Sequence, residues 1–349
     1  MSVGVAVIGA GVVGRMRCNT IVRHPGARLV AVVDPDELAA RRAAGPAGAR
    51  WAAHHGEVIG HPEVQAVVVS SPAPLHTTLV IEALQAGHDV LCEKPLATML
   101  EDSLRMREVA RSCGRTLGVG FNHRYFPSFQ SLKRAVTDGQ LGQLQHVRAL
   151  TGHAGLSEFR ADWMYQSQLS GGGAMMDNGL HLTDLIRYLV GPITEVYGTA
   201  SNQVWNVPGS EDCAVALMKT ETGLPIAYHA TWGEWKGYRL GLEIYGTLGL
   251  MRASYAPMLT LEARPGRGRG RQRWNFYPWI NLREKLRGWE STAEQAFYEE
   301  LDDFLRARQG GSWGALADAD AGVASLRVAQ ALYQSQLQGQ PVRPDSLMG

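Results

Sequence analysis

Two groups of residues in this chain have the types and spacing that proton chemistry needs. Asp177 and His181 stand four apart in a stretch, Ala174–Leu189, whose pattern predicts a helix. In a regular helix both side chains would project from one face, with Cβ atoms about 5–6 Å apart. A carboxylate beside a histidine fixes its tautomer and raises its basicity. That is what a general base requires to take a proton from an alcohol. Asp184 falls within a turn of His181. The competing reading is a charge pair on a solvated helix. The run Ser170-Gly171-Gly172-Gly173 just upstream weighs against it, because three glycines together suggest close backbone approach. The second group is Glu93-Lys94-Pro95. The apolar run Asp89–Cys92 reads as a buried strand that breaks into an acid, a base and a proline. Pro95 cannot continue a ladder and pushes Lys94 toward extended angles. Lys94 is then held at a strand end, where open α/β sheets bind ligands. Alone, the same tripeptide reads equally as a polar loop.

The elements that must position these groups follow from the pattern around them. Val3–Ile8 reads as a buried strand and runs into Gly9-Ala10-Gly11-Val12-Val13-Gly14, then a helix to about Arg23. Strand, glycines and helix in that order form a dinucleotide fingerprint. Gly9, Gly11 and Gly14 allow a tight turn, close approach to a pyrophosphate and close helix–strand packing. The phosphates would rest on the helix N-terminus at Val12 and Val13. Arg28–Val33 is a second strand and ends in Asp34, 20 residues after Gly14, where a carboxylate would bond the adenosine ribose. No Arg or Lys occupies positions 35–37, so NAD is favoured over NADP. Ala66–Ser70 is a further strand, with Ser71-Pro72 at its end and His76 in the first turn of a helix, Pro74–Gly87. These are placed for cofactor contact. Thr98-x-x-Glu101 reads as a capping box for the next helix, and Thr116–Gly120 as strand six. Strands alternating with helices predict a doubly wound parallel sheet.

The pattern changes after Gly120. Phe121-Asn122-His123-Arg124-Tyr125-Phe126-Pro127 is a turn rich in functional side chains, and Pro127 opens a helix to about Asp138. Gln145–Thr151 reads as a strand. From Ile193 to Leu261 strand-like runs succeed one another, which predicts an open, mostly antiparallel sheet with a broad face that could meet another subunit. Arg264–Arg273 is basic and glycine-rich. It reads as a flexible surface loop or as a site for a substrate phosphate, with RNA contact disfavoured because the whole chain carries a net charge of only +1. Trp274, Phe276, Tyr277, Trp279 and Trp289 follow, suited to stacking on a sugar or to packing. Ser291–Arg308 and Ala315–Gln338 are predicted helices. Four widely separated cysteines fit a reducing, cytoplasmic setting and no metal spacing. Neither a targeting segment nor an apolar run long enough to span a bilayer is evident, so no membrane or nucleic-acid partner is expected. A division into residues 1–121 and 122–349 is expected.

Taken together, the glycine fingerprint, Glu93-Lys94-Pro95, the run Gly118–Tyr125 and the run Gly171–His181 resemble the Gfo/Idh/MocA family, the glucose–fructose oxidoreductase, inositol dehydrogenase and rhizopine catabolism proteins. Gly246-Thr247-Leu248-Gly249 and Leu326–Tyr333 add to the likeness, which covers nearly the whole chain. The resemblance implies an N-terminal Rossmann domain and a C-terminal α/β domain. It implies NAD-dependent oxidoreduction at a carbinol carbon of a sugar, cyclitol or sugar-nucleotide, and a homodimer or homotetramer. It places Lys94, Asp177 and His181 at the substrate, with Arg124, Tyr125, Trp163 and Asn178 as further substrate contacts. It places Glu93 near the nicotinamide ribose with Asn122 also on the cofactor side, and it implies that Pro95 is often cis. In this chain Ala73 stands where the family often has Asn. Whether His181 or Lys94 is the main acid/base stays open. Two other readings are an NAD-binding sensor without catalysis and a glycosidase that oxidises its sugar transiently.

Overall fold

The computed structural model describes residues 2–155, 162–266 and 270–347. The chain divides into two compact units, but not at a single cut near residue 121. The first comprises Met1–Tyr125 and Leu286–Val323, and the second Phe126–Lys285 and Ala324–Met348. The late segment returns to the first unit because it is amphipathic. Its helix Glu290–Ala307 sends Leu301, Phe304 and Leu305 into the same core as Val5, Val7, Ile21 and Leu29. Full burial of each such side chain stabilises by about 1.5–3 kcal/mol.

The first unit is built on seven strands: β1 (Val3–Ile8), β2 (Ala27–Val33), β3 (Arg50–Ala52), β4 (Ala66–Val69), β5 (Asp89–Glu93), β6 (Leu117–Gly120) and, far later, β15 (Ala317–Asp318). Their order is β15-β6-β5-β4-β1-β2-β3. All pairings are parallel except β15 with β6. The order reverses between β1 and β4, the switch point where doubly wound sheets open a crevice for ligand. β1 and β4 are completely buried, as all-apolar parallel strands should be. The helix after β5 is Leu100–Ser112, with Met99 at its N-cap and no side-chain cap bond. The expected capping box at Thr98 is therefore not made. Glu101 instead lies within the first turn, where its charge meets the positive helix end.

The second unit holds the other eight strands: β7 (Leu144–Gly152), β8 (Ile193–Ser201), β9 (Cys213–Thr220), β10 (Pro225–Thr231), β11 (Arg239–Gly246), β12 (Gly249–Tyr255), β13 (Leu259–Arg264) and β14 (Arg271–Asn275), in the order β14-β13-β12-β11-β7-β10-β9-β8. All described pairs are antiparallel except β7 with β10. Along β9 burial alternates strictly, so one face is packed and the other carries exposed Val215 and Leu217. The basic segment is corrected here. Arg264 ends β13, Arg271 opens β14, and the two pair across a hairpin at the sheet edge. Residues 267–269 lie outside the described residues. Trp274 and Phe276 stack on each other at this edge (5.8 Å), and Trp279 is exposed on the helix Pro278–Arg287.

Candidate active site

In the first unit, β1 delivers the glycine turn. Gly9 adopts a positive φ of 100°. A Cβ on Gly14 would lie 1.9 Å from the Gly9 carbonyl oxygen, so any larger residue would push the helix off the strand. A Cβ on Gly11 would meet nothing within 4 Å, which leaves that face open. The helix Val12–Arg23 begins there, and the N–H groups of its first turn have no partner within the helix. Val12 is exposed, whereas the Val13 side chain packs against Met16, Ala293 and Phe297. Val13 can thus offer a phosphate only its main chain. Asp34 closes the cradle: Ala10 N–H donates to its Oδ2 (2.7 Å) and Asp36 N–H to its Oδ1 (2.8 Å). The Ser70 hydroxyl beside the turn is buried and has no hydrogen-bond partner among the described residues. An open glycine turn, a free helix end and a carboxylate at the tip of β2 fit a dinucleotide.

Packing ties three of the expected contact residues into the fold. His76 is 1% exposed, and its ring nitrogens face the carbonyl oxygens of Pro95 (2.8 Å) and Ser71 (2.9 Å). A neutral imidazole carries one N–H, so His76 donates to one of these two carbonyl oxygens, and its buried ring packs between the Ser71-Pro72 loop and Pro95. Burial holds its pKa below the usual imidazole value. The Tyr125 hydroxyl donates to Asp303 (2.8 Å). Arg124 is buried and gives one N–H to the Ala315 carbonyl (3.2 Å). Asn122 is buried in the same short turn, Asn122–Tyr125. Lys94 is half-buried at the end of β5, and the Lys94–Pro95 bond is cis, as the resemblance implies. Beside it His123 is buried; burial first and the Lys94 charge second push its pKa down to about 3, so the ring is neutral.

In the second unit the predicted continuous helix is interrupted. Met175–Gly179 forms a π turn, and the α-helix Leu180–Val190 follows. The Tyr228 hydroxyl donates to the Gly179 carbonyl oxygen (2.9 Å), where the π turn passes into the α-helix. Asp177 therefore lies in the π turn and His181 in the first turn of the α-helix beyond it. Asp177 is 9% exposed. Its Oδ2 accepts from His153 Nε2 (2.8 Å) and from Trp232 Nε1 (3.1 Å). The Gly155 N–H donates to His153 Nδ1 (2.9 Å), so the proton of a neutral His153 is on Nε2 and points at Asp177. His153 and Trp232 come together because they leave the ends of β7 and β10, parallel neighbours that pair Gly152 with Thr231. Asn178 Nδ2 donates to the Thr231 carbonyl (3.4 Å), and its side chain too is anchored to β10. Tyr165 packs edge-on against Trp232 (5.6 Å), and Tyr238 lies parallel to His153 (6.5 Å). The aromatic surroundings of Asp177 are these, not the Trp274–Trp279 group. Trp163 is half-buried in the turn Asp162–Tyr165.

The glycine run has a physical cause. A Cβ on Gly173 would lie 1.9 Å from the Glu211 carbonyl oxygen. The Glu211 carboxylate accepts from Gly173 N–H (2.9 Å), Met175 N–H (2.7 Å) and the Tyr333 hydroxyl (2.9 Å). It thus satisfies orphan donors at the start of the helical segment that carries Asp177. Burial raises its pKa, against those three donors. His153, Glu211 and Trp232 were not legible as site residues, since each reaches Asp177 or its turn from another strand or loop. The one available hint was position: Trp232 ends a predicted strand, Pro225–Trp232, and His153 lies two residues beyond another, Gln145–Thr151.

Family models match both halves of the chain: an oxidoreductase family with an NAD-binding Rossmann fold over residues 3–121, and a GFO/IDH/MocA C-terminal domain over residues 129–252. An inositol 2-dehydrogenase of Saccharopolyspora erythraea is 31% identical, over 97% of this chain and 94% of that protein. An NAD(+)-dependent scyllo-inositol 2-dehydrogenase of Bacillus subtilis is 27% identical, over 97% and 96%. The fold matches a levoglucosan dehydrogenase solved with NADH and levoglucosan, with a TM-score of 0.87 at 22% identity over 98% of this chain and 99% of that one. The chain belongs to the GFO/IDH/MocA family of NAD-binding oxidoreductases.

Proposed function

We propose that this enzyme interconverts a secondary hydroxyl and a ketone on a cyclitol or sugar, with NAD as redox partner. The observation that carries the reading is the Asp177 carboxylate, buried and aimed by two N–H donors in the turn that leads into His181. A protein that only sensed NAD would need no such proton-handling group. Bound NAD supplies the acceptor or donor of the hydride at the carbinol carbon. His181 takes the hydroxyl proton as hydride leaves and returns it in the reverse direction. Asp177 stabilises the imidazolium that results. Lys94 donates a hydrogen bond to the same oxygen and stabilises its developing negative charge. The relatives named for inositol and levoglucosan support a polyhydroxylated ring as substrate. Four free thiols, of which Cys18 and Cys92 are buried, suit a reducing cytoplasm. The outward face of the second sheet, with Tyr197, Val215 and Leu217, supports a homo-oligomer.

The test is a panel of inositols, sugars, anhydrosugars and nucleotide sugars with NAD and NADP, read by nicotinamide absorbance. Net NADH formation with a cyclitol or sugar is expected. Hydrolysis of a glycoside without net NADH would replace this reading with the redox-assisted glycosidase.

A further inference from the structure

Behind Glu93 lies an ion cluster that the reaction as described leaves unused. Arg17 sits on the glycine-turn helix and is 2% exposed. Its Nε and Nη2 donate to Glu93 Oε1 at 2.8 and 2.5 Å. The same Nη2 lies 2.6 Å from Glu300 Oε2, on the returning helix Glu290–Ala307. The guanidinium stacks on the Phe297 ring at 3.8 Å. The end of β6 makes room for the cluster: a Cβ on Gly120 would lie 2.7 Å from Glu93 Oε2 and 3.0 Å from Arg17 Nη2. Glu93 is the outer member, with 14% of its side chain exposed, while Glu300 is sealed. One cation therefore serves two carboxylates, and the outer one immediately precedes Lys94.

We propose that Arg17 and Glu300 are positioning residues: Arg17 fixes Glu93 and with it the Glu93-Lys94-Pro95 turn, and Glu300 governs how much of Arg17 is available to do so. The inference rests on the reading that this turn works beside the nicotinamide. When Glu300 carries a proton, Arg17 belongs wholly to Glu93. When Glu300 is ionised it competes for the same Nη2. The groups that face Glu300 are Arg17 from the glycine-turn helix, Glu93 from β5, and Arg124 and Tyr125 from the turn Asn122–Tyr125; Tyr125 in turn bonds Asp303, on the helix of Glu300. Burial raises the Glu300 carboxyl to about 7, with Arg17 opposing and Glu93 reinforcing the rise. The switch between the two arrangements thus falls near neutral pH.

The experiment uses the full-length enzyme with the best substrate of the panel, and Arg17→Lys and Glu300→Gln, which keep side-chain bulk. NADH affinity is read by nicotinamide fluorescence, and kcat is followed from pH 5.5 to 9. Arg17→Lys keeps the charge but not the fork, and is expected to lower kcat by about 10- to 100-fold through displacement of the turn. Its NADH affinity should change by much less. Glu300→Gln is expected to remove an inflection near pH 7 from the wild-type kcat profile. Wild-type kcat in Arg17→Lys, or a wild-type pH profile in Glu300→Gln, overturns the proposal. If Arg17→Lys fails to fold, the Glu300→Gln profile decides alone. Lys94→Ala serves as the separate check. Loss of turnover there with normal behaviour of both variants refutes the positioning role and leaves the proposed function standing. Wild-type turnover in Lys94→Ala refutes the assignment of Lys94 itself.

Discussion

Breaking an ion pair should stabilise this protein above neutral pH. Glu300 is fully buried, and its carboxyl is raised to about 7 from an ordinary 4.5. A raised carboxyl pKa means that the folded state holds the proton more tightly than the unfolded chain does. The associated stability is complete below about pH 4.5 and is lost as pH rises through about 7. The gap of about 2.5 units, at 1.36 kcal/mol each, gives a loss of about 3 kcal/mol by pH 8.5. Arg17 is already included in that figure: its attraction for Glu300 offsets only part of the cost of burying the charge, because Glu93 shares the same cation. Glu300→Gln mimics the protonated form at every pH. The variant should therefore match the wild type near pH 5 and exceed it at pH 8.5. The assay is thermal unfolding of both proteins across that range, read as the difference in midpoint. The difference should open by roughly 5 °C. A difference that does not depend on pH, or a variant less stable than wild type at pH 8.5, would show that attraction to Arg17 outweighs desolvation and would refute the reasoning.

The remaining predictions concern the site. Lys94→Ala and His181→Ala should each lower kcat by about 10²–10⁴ while NADH binding, measured by fluorescence, is kept; turnover near wild type in either variant removes that residue from the chemistry. Gly173→Ala puts a methyl group against the Glu211 main chain and should cost about 1–3 kcal/mol in denaturant unfolding together with a drop in kcat; an unchanged midpoint would mean that the turn is slack. Asp34→Ser with Pro35→Arg removes the acceptor of the Ala10 N–H and adds a cation, and should shift the NAD-to-NADP ratio of kcat/KM toward NADP by about tenfold or more. An unchanged ratio would deny Asp34 its ribose role.

The dinucleotide half was almost fully legible from the chain. β1, the helix Val12–Arg23 and β6 lie within a residue of where periodicity put them. Buried parallel strands and a glycine turn are local signals: each is written in consecutive residues and needs no distant partner to be recognised. The family resemblance was legible for the same reason, through short motifs in a fixed order.

Tertiary structure alone decided the rest. Periodicity predicts a regular helix through Asp177 and His181, but Met175–Gly179 is a π turn, whose last carbonyl oxygen accepts from the Tyr228 hydroxyl of another strand. What surrounds His76 and Tyr125 was likewise set by distant segments, the Ser71 and Pro95 carbonyls in one case and Asp303 in the other. His153 and Trp232 became site residues only through the parallel pairing of β7 with β10. Residue type and spacing determine what a group can do. Which donors and charges surround it is a matter of contacts between segments up to 200 and more residues apart, as with Glu93 and Glu300 on either side of Arg17.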